Sequence, residues 1–450
     1  MKKILWFRRD LRVEDSMLLA QNGEVLPIFI FDKYILDSLP HEDRRVDFIF
    51  NAVMKLKSDL KKIGLNLAIF YGKPEEIFEY LKNEGYHEVY ASIDYDAYAR
   101  ERDAKIAHIL TFHPLHDTYI FEPNEILKKD GTPYLVFTPY YHACQAVYTK
   151  FHALSYIKGE QTLASFNYDY ILSFKDNTYV ALAISLENIG FTSLRVTYHE
   201  PRKVLQALHL KMDNYAVQRD FLALDATSHL SIHLRFGTLS IRHILRYLTQ
   251  LKREGKQTEP FFRQLVFRDF YAYLLFHFPS LASKNYKYDM PVRMEETYFQ
   301  AFCTAQTGYP LIDAAITELL KTGLMHNRAR MITGSFFTKH LRLPWQDGEA
   351  FFAKHLLDYD ASANILSWQW CAGTGIDPQP YFRIFNPYTQ SKKFDANAMY
   401  IKRWLPFLKE VPSQILHNEQ KVLNLNIAGY PKPIVTHENA RKTFLALCQR

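Results

Sequence analysis

The densest motif of the chain begins with Thr307-Gly-Tyr-Pro-Leu-Ile-Asp-Ala-Ala-Ile316, continues with Thr322-Gly-Leu-Met-His-Asn-Arg-Ala-Arg-Met331 and ends at Ser335-Phe-Phe. Asp313 and the apolar residues that follow it are typical of a buried helix. Residues 325–331 place a histidine, an asparagine and two arginines within two helical turns. By itself, that stretch is more typical of a solvated basic helix face than of a binding site. The motif predicts a helical region, and its function depends on the rest of the chain.

Helical periodicity dominates from about residue 201 onward, whereas the first 120 or so residues alternate short apolar runs with amphipathic stretches. The apolar runs predict buried strands at residues 3–7, 25–31, 66–70 and 88–92. The amphipathic stretches between them predict helices at residues 45–62 and 74–83. Strands and helices in alternation indicate a Rossmann-like parallel α/β sheet.

The stretch between these two regions is irregular. Residues 121–200 are rich in Pro, Tyr and Asn, which predicts a long connection over the surface. We therefore expect an α/β domain at residues 1–125, a connector at residues 126–200 and an all-helical domain at residues 201–450. The predicted fold class is α/β plus all-α.

The first predicted strand is not followed by a glycine-rich loop. Arg8-Arg9-Asp10-Leu11-Arg12 takes the place of the GxGxxG pattern. Such a sequence cannot give the close backbone approach that a dinucleotide pyrophosphate needs. A nicotinamide-dependent dehydrogenase is therefore disfavoured.

Composition sets broad limits on the class of protein. The chain has 450 residues, 48% of them hydrophobic and 15% aromatic, which is enough for two or three globular domains. Its four cysteines show no CxxC or CxxxC spacing, so neither a metal site nor a disulfide framework is expected. The apolar run at the N-terminus is too short for a signal peptide, and no run reaches membrane-spanning length. We expect a cytoplasmic protein without membrane association.

Charge is distributed unevenly along the chain. Residues 201–450 contain 32 Lys and Arg against 20 Asp and Glu, a net charge of +12, which leaves a net charge of −5 for residues 1–200. A cationic domain gains affinity for DNA by releasing counterions from the phosphates, although the same charge can serve solubility alone. The helical region is the candidate for binding a polyanion.

Further motifs resemble those of the photolyase/cryptochrome family, and of its class I cyclobutane pyrimidine dimer photolyases in particular. They cover nearly the whole chain, together with the motif at residues 307–337: Trp6-Phe-Arg-Arg-Asp-Leu-Arg12, Tyr215-Ala-Val-Gln-Arg-Asp220, Thr227-Ser-His-Leu-Ser231, Leu343-Pro-Trp-Gln-Asp-Gly348, Asp358-Tyr-Asp-Ala-Ser-Ala-Asn364, Ser367-Trp-Gln-Trp-Cys-Ala-Gly-Thr-Gly-Ile-Asp377 and Tyr381-Phe-Arg-Ile-Phe-Asn-Pro387. The resemblance implies light-driven DNA repair, in which reduced flavin (FADH⁻) donates an electron to a dimer flipped out of the duplex.

The resemblance also implies a U-shaped FAD in the helical domain. Asn364 matches the residue that faces flavin N5, and Arg330 is the expected ion-pair partner of Asp358. The hydroxyls near residues 227–231 match positions that bind the pyrophosphate at a helix start, where they can also cap the helix. The full set of implied FAD contacts is Tyr215, Thr227, Ser228, Leu230, Ser231, Arg330, Asp358, Asp360 and Asn364.

A second set of residues matches the contacts to the lesion and to the DNA. The lesion contacts implied by the resemblance are Gln264, Phe267, Asn327, Met331 and Trp370. The implied DNA contacts are Arg219, Arg328, Arg383 and Gln390. UV-damaged DNA is therefore the expected partner, and no protein partner is implied. The resemblance also implies a monomer, since family members are usually monomeric.

The residues at the lesion indicate which photoproduct is repaired. In this family, enzymes that repair (6-4) photoproducts have His-His at the positions of residues 326–327 and another His at the position of Met331. That repair needs a proton donor at the lesion. Asn327 and Met331 therefore favour the cyclobutane dimer. Gln264 replaces the usual Glu, and Phe267 replaces the usual Trp, so affinity for the lesion is expected to differ from that of relatives.

The resemblance implies a chain of three tryptophans that reduces the flavin in light. Trp368 and Trp345 match the inner and middle members, but the outer position falls near Val292. Either a neighbouring tyrosine completes the path, or Trp345 is itself close enough to solvent. The candidate tyrosines are Tyr286, Tyr288 and Tyr298.

The motifs do not decide which antenna chromophore the chain binds. An antenna chromophore of the deazaflavin or flavin type, or a methenyl folate, is expected in the α/β domain, with candidate contacts Phe31, Asp32, Arg45 and Asp94. Arg45 can equally be a solvated helix charge.

A cryptochrome-type light receptor shares the fold and FAD but usually has a C-terminal tail, so repair is the favoured function. Neither a general FAD oxidoreductase nor an unrelated nucleic-acid-binding module accounts for all the motifs.

Overall fold

The computed structural model describes residues 2–176 and 178–449, and the chain divides into two compact units. Unit 1 comprises Met1–Pro133, Tyr140–Leu210 and Ser228–His277. Unit 2 comprises Tyr134–Pro139, Lys211–Thr227 and Phe278–Arg450. The expected domain bounds at residues 125 and 200 stay a prediction.

Unit 1 contains an eight-stranded sheet with the order β5-β4-β1-β2-β3-β7-β8, and β6 pairs with β2. All strand pairs are parallel except β7 with β8. The strands are β1 Lys2–Phe7, β2 Gly23–Asp32, β3 Ala68–Gly72, β4 Glu88–Ser92, β5 Thr111–Leu115, β6 Gln161–Leu163, β7 Tyr170–Lys175 and β8 Thr178–Ala183. The predicted parallel α/β sheet is confirmed.

The predicted connector is where the structure differs from the sequence reading. The stretch at 126–200 contains β6, β7 and β8, which the sequence pattern did not predict. Each of these strands is short, and β8 is largely exposed, so none produces the buried apolar run that marks β1 and β2. Strands β6 and β7 pair with β2 and β3, which lie far away in sequence, whereas β8 forms a hairpin with β7.

The charged string after β1 has a structural role within unit 1. Arg8 forms an ion pair with Asp103 at 2.5 Å, and Arg12 forms one with Asp117 at 2.6 Å. The Arg12 and Asp117 side chains are almost fully buried, so each needs the other to offset the loss of water. Arg8–Arg12 therefore fixes the loop where a dinucleotide-binding fold has glycines.

The remaining elements are helices, with short 3₁₀ turns and, in the described part of the chain, one π-helical segment, Phe336–His340. The helices are α1 Lys33–Leu36, α2 Arg44–Lys62, α3 Pro74–Asn83, α4 Ala97–Ile109, α5 Phe137–Val147, α6 Pro201–Lys211, α7 Tyr215–Gln218, α8 Ser231–Phe236, α9 Ile241–Arg253, α10 Glu259–His277, α11 Glu296–Cys303, α12 Pro310–Thr322, α13 Asn327–Ser335, α14 Trp345–His355, α15 Ala361–Ala372, α16 Pro387–Phe394, α17 Met399–Trp404, α18 Ser413–Leu416, α19 Glu419–Leu423 and α20 His437–Cys448. Within residues 2–176 and 178–449, no helix combines the length and apolarity needed to cross a membrane.

The motif Thr-Gly-Tyr-Pro is explained by the start of α12 in unit 2. Pro310 is the first helical residue, where its missing N–H costs nothing. The buried Asp313 carboxylate accepts from the amides of Thr307 and Gly308 at 2.9 and 3.0 Å, and from the Tyr430 hydroxyl at 2.8 Å. These hydrogen bonds satisfy a buried carboxylate without a cation, so the motif specifies a helix start rather than a catalytic group.

Asp269 on α10 makes the stability of unit 1 depend on pH. It accepts from the amides of Ile120 and Phe121 at 2.7 and 3.2 Å, and burial raises its pKa from 3.8 to about 7. Between these pH values the folded chain keeps a proton that the unfolded chain releases. The free energy of unfolding therefore falls as pH rises from about 4 to about 7, by up to about 1.4 kcal/mol per pH unit.

Asp269→Asn is expected to remove this slope while keeping an acceptor for the two amides. Urea unfolding of both proteins at a series of pH values measures the difference, in which all other titrating groups cancel. A variant with the same slope as the native chain between pH 4 and 7 would show that Asp269 ionises normally.

Candidate functional site

A cavity of about 580 Å³ opens on unit 2. The residues that line it are Val217, Asp220, Phe221, Arg328, Met331, Trp370, Arg383, Phe385, Gln390, Lys393 and Phe394. Five of them were singled out in the sequence as lesion or DNA contacts, namely Arg328, Met331, Trp370, Arg383 and Gln390. Residues from α13, α15, α16 and the loop before α16 therefore meet at one place, with aromatic walls and an excess of cations.

Helix α13 presents several of these side chains because of how it begins. His326 precedes the helix, and its Nδ1 accepts from the Arg328 amide at 3.1 Å. Burial lowers the pKa of His326 to about 4, so the ring is neutral at pH 7 and able to accept. One turn apart on the exposed face, the Asn327 amide contacts the Met331 sulfur at 3.9 Å. The cap thus fixes the register that brings Met331 to the cavity.

The Arg328 guanidinium is held in place on two sides. It donates to Asp220 at 2.8 Å and lies over the Phe394 ring at 4.5 Å. Asp220 neutralises only one of the cations at the cavity, since Arg383 and Lys393 line it as well. A fixed guanidinium with donors to spare is suited to phosphate oxygens.

Arg330, two residues further along α13, has a different partner. Its Nη2 donates to both carboxylate oxygens of Asp358 at 2.9 Å, and its Nε donates to the Met325 carbonyl at 2.8 Å. The Asp358 side chain is almost fully buried. This is the ion pair that the resemblance implied, and it ties α13 to the segment before α15.

The start of α15 is built by the second aspartate of the motif. Asp360 caps the helix by accepting from the Ala363 amide at 3.2 Å. Asn364 follows one turn later, and its side-chain nitrogen donates to the carbonyl and to the carboxylate of Glu349 at 3.1 and 2.9 Å. Both amide hydrogens of Asn364 are thereby used, so its oxygen is the group that remains to accept a hydrogen bond.

The two tryptophans of the predicted electron path lie on neighbouring helices. Trp368 on α15 is buried against Phe337 and Phe352. A Cβ at Gly348 on α14 would lie 2.3 Å from the Trp368 ring, so only glycine permits this approach of the two helices. Trp345 starts α14 with 5% of its surface exposed, which disfavours the alternative that Trp345 itself reaches solvent.

The other predicted residues lie on short segments of the two units. In unit 1, Gln264 and Phe267 occupy one half-buried face of α10, and Phe267 packs edge-on against Tyr271 with 5.4 Å between ring centroids. Ser228, Leu230 and Ser231 lead into α8, where the Ser228 hydroxyl accepts from the Leu230 amide at 3.3 Å. In unit 2, Thr227 ends its segment, Tyr215 starts α7, and Arg219 lies over the Tyr215 ring.

The sequence reading missed several residues of the site. Asp220 belongs to one of the family motifs but was given no role. Lys393 is part of a basic pair shortly after Gln390, and its charge could have indicated a DNA contact. Glu349 and Asn285 carried no local signal. Their importance comes from hydrogen bonds to Asn364 and Trp345, whose positions depend on tertiary packing.

The candidate antenna residues of unit 1 already have protein partners. Asp32 caps α1 and accepts from the Tyr98 hydroxyl, and Asp94 forms an ion pair with Arg9 at 2.6 Å. Arg45 pairs with the buried Asp43, so it is not simply a solvated charge. The remaining candidate, Phe31, stacks on Phe50 with 6.0 Å between ring centroids. An antenna at these residues stays a prediction.

Two family models match the chain: one described as DNA photolyase matches residues 3–158, and one described as FAD binding domain of DNA photolyase matches residues 261–450. A deoxyribodipyrimidine photo-lyase of Synechococcus sp. is 34% identical, with 99% of this chain and 96% of that protein covered. The chain belongs to the photolyase/cryptochrome family. Its motifs and its cavity can therefore be compared with those of photolyases.

Solved photolyase structures share the fold of this family member. A class III photolyase from Agrobacterium tumefaciens has a TM-score of 0.86 and 31% identity, covering 100% of this chain and 97% of that chain. An archaeal photolyase from Sulfolobus tokodaii, solved with two FAD molecules, has a TM-score of 0.83 and 31% identity, with 100% of both chains covered. Membership of class I in particular stays a prediction.

The donor groups of each unit fit the family cofactor, FAD. In unit 1, the uncapped first turn of α8 offers backbone N–H groups of the kind that bind phosphate oxygens. In unit 2, the Asn364 oxygen is oriented by Glu349 to accept from a ring N–H. Asp358, the partner of Arg330, lies two residues before the Asp360 cap of α15, which fixes the polar groups around Asn364. In unit 2, Arg330, Asp358, Asp360 and Asn364 are the residues that would hold the cofactor.

Proposed function

We propose that this chain repairs cyclobutane pyrimidine dimers in DNA in a light-driven reaction, with FAD as its cofactor. The observation that carries the proposal is the cavity of unit 2, where Met331 and Trp370 form an apolar wall beside Arg328, Arg383 and Lys393. An apolar wall suits a base lifted out of the stack, and the surrounding cations suit the flanking phosphates.

Different side chains at the cavity bind the phosphates and the bases of the DNA. Arg328 and Arg383 hold the phosphates, which positions the strand without reading its sequence. Trp370 offers a ring face to the flipped bases, and Met331 completes the wall, with the Asn327 amide 3.9 Å from its sulfur. A dimer costs less to unstack than an intact pair, so this arrangement favours damaged DNA.

The reaction itself depends on the cofactor. Reduced FAD, when bound, supplies the electron that opens the dimer after it absorbs blue light. The chain holds the Asn364 oxygen for the N5–H of that flavin by using both amide hydrogens of Asn364 on Glu349. Gln264 and Phe267 on α10 serve the lesion by hydrogen bonding and stacking.

The test uses the FAD-loaded protein in its reduced form. The protein is mixed with single-stranded DNA that carries dimers and is illuminated, and recovery of thymine absorbance is followed. Recovery in light, with none in the dark, is expected. No recovery by reduced, loaded protein would contradict the proposal and favour a light-receptor function.

The choice of lesion is tested at the wall of the cavity. Asn327→His combined with Met331→His is expected to impair dimer repair, because two imidazoles replace the amide and thioether that contact each other at 3.9 Å. Gain of (6-4) repair is not required. Affinity for undamaged DNA should stay close to native, and unchanged dimer repair would remove both residues from the lesion site.

The outer end of the electron path is assigned to Tyr286. The Trp345 indole N–H donates to Asn285 at 2.8 Å, and Tyr286 is the next residue along the chain. Tyr286 is 42% exposed, so its phenolic proton can pass to water when it is oxidised. Tyr298, by contrast, has the Arg293 guanidinium 4.2 Å above its ring, and a cation there opposes loss of an electron.

Tyr286→Phe is expected to slow net photoreduction of the flavin markedly. In the native chain, Tyr286 gives an electron to oxidised Trp345 and a proton to water, and a thiol in solution then restores the phenol. Transient absorption should show a tyrosyl radical that the variant lacks. Tyr288→Phe and Tyr298→Phe are the matched controls, and a loss confined to either of them would move the assignment.

The oligomeric state, the cellular location and the antenna are also proposed. We propose a monomer that works in the cytoplasm, which the free cysteines at residues 144, 303, 371 and 448 support. An antenna of the deazaflavin, flavin or folate type would bind unit 1. Absorbance of the purified protein after removal of FAD tests for it directly.

A further inference from the structure

The loop between α15 and α16 contains a tight turn whose last residue lines the cavity of unit 2. The Arg383 amide donates to the Pro380 carbonyl at 2.9 Å, which closes a β-turn over residues 380–383. Phe382, the third residue of this turn, has 62% of its surface exposed. The turn therefore presents an apolar ring and a guanidinium in succession.

A buried lysine holds this turn from the protein interior. Lys339 has 0% of its surface exposed, and its Nζ donates to the Arg383 carbonyl at 2.9 Å. Lysine is almost never fully buried unless it is paired, and this partner is a main-chain oxygen. Burial lowers the pKa of Lys339 to about 8, so the ammonium form still dominates at pH 7.

The position of Lys339 in the fold links two walls of the cavity. The π-helical segment Phe336–His340 continues directly from α13, which carries Arg328 in its first turn and Met331 in its middle. Single π-helical turns within helices are common at functional sites, because they shift the side chains that follow. One continuous helical element thus supports one wall directly and fastens the turn that forms another.

A second contact fastens the same loop closer to α15. The buried Gln379 side chain donates to the Cys371 carbonyl at 3.0 Å, immediately before the turn begins. The loop is therefore attached at both sides of Tyr381 and Phe382, while its tip stays exposed. Because Lys339 binds the Arg383 carbonyl, it fixes the backbone there and leaves the Arg383 side chain available.

We propose that Lys339 is a positioning residue for DNA binding: through the Arg383 carbonyl it fixes the turn at residues 380–383, so that Phe382 and Arg383 are presented to the DNA. The proposal rests on the proposed function for its ligand. A turn fixed in advance loses little conformational entropy when DNA binds, so loss of Lys339 weakens affinity rather than the light reaction.

The first measurement needs neither DNA nor light. Trypsin cleaves after Arg383 only if it can bind the carbonyl that Lys339 holds. In FAD-loaded Lys339→Met, cleavage between Arg383 and Ile384, followed by mass spectrometry, should be faster than native by roughly tenfold, the size expected for one lost charge-assisted hydrogen bond. Thr338→Val is the matched control, since the buried Thr338 hydroxyl donates to the Gly334 carbonyl within the same helical element.

The second measurement is DNA affinity. Lys339→Met should weaken binding of damaged and undamaged single strands alike by roughly tenfold, with the absorbance of bound FAD unchanged. Lys339→Gln keeps a donor and should recover part of the loss. If Lys339→Met does not fold, the same two measurements on Lys339→Gln, compared with Thr338→Val, decide the question.

Each outcome bears on the proposal. Faster cleavage with weaker DNA binding supports it. Native cleavage in Lys339→Met, equal effects of Thr338→Val, or faster cleavage with unchanged DNA affinity would overturn it. If native protein neither binds DNA nor repairs dimers, the proposed function fails, whereas the cleavage assay still reports whether Lys339 anchors the turn.

Discussion

Replacing Trp368 by Phe is expected to nearly abolish photoreduction of the bound flavin while sparing dimer repair by chemically reduced protein. Phenylalanine keeps the packing against Phe337 and Phe352 but is far harder to oxidise than an indole. Repair is spared because the dimer receives its electron from the cofactor, not from the tryptophan. Absorbance under steady illumination measures the first quantity, and thymine recovery measures the second.

Two further variants test the same electron path. Trp345→Phe should behave like Trp368→Phe, since the Trp345 indole lies on the neighbouring helix at the end that contacts Asn285. Trp370→Phe is the matched control on the same helix, because Trp370 lines the cavity and should affect binding of damaged DNA instead. A Trp345→Phe protein that photoreduces at the native rate would show that electrons take another route.

Arg330→Ala is expected to yield a protein that retains little FAD. Removing Arg330 leaves the buried Asp358 carboxylate without the guanidinium that donates to both of its oxygens. Leaving one member of a buried pair uncompensated costs about 3 kcal/mol, which disturbs the segment that leads to the Asp360 cap and Asn364. The ratio of flavin to protein absorbance after purification gives the readout, and the melting temperature should fall with it.

Arg328→Ala provides the matched control, two residues away on the same helix. Its partner Asp220 is partly exposed, so the loss of stability should stay below about 1 kcal/mol. FAD should be retained, while affinity for damaged and undamaged DNA falls alike and the salt slope decreases by about one. If Arg328→Ala loses FAD and Arg330→Ala keeps it, the two roles are assigned the wrong way round.

Local patterns in the sequence were sufficient for the elements with strong periodicity. The buried apolar runs gave β1, β2, β3 and β4 to within two residues, because a strand covered on both faces has a continuous apolar signal. Likewise, Pro310 and Asp313 specify the start of α12 through contacts close in sequence. Strands β6 and β7 were missed because they pair with β2 and β3, far away along the chain, and β8 was missed because it is largely exposed.

For the site, the motif resemblance supplied residue roles that spacing alone could not. It named Arg330 and Asp358 as a pair, and the structure joins them at 2.9 Å. It also named residues that turn out to line one cavity, although they come from separate helices. Roles toward FAD, the lesion and DNA stay predictions until the variants above are measured.

The sequence by itself therefore determined the helical and α/β regions, the family and the residues that carry its motifs, because these depend on local order and on side-chain identity. Only the tertiary structure decided which groups hold those residues: Glu349 on Asn364, Asn285 on Trp345, and Lys339 on the Arg383 carbonyl. A lysine or a glutamate on a helix carries no local signal of its partner. The partner is set by burial and by helices that meet only after folding.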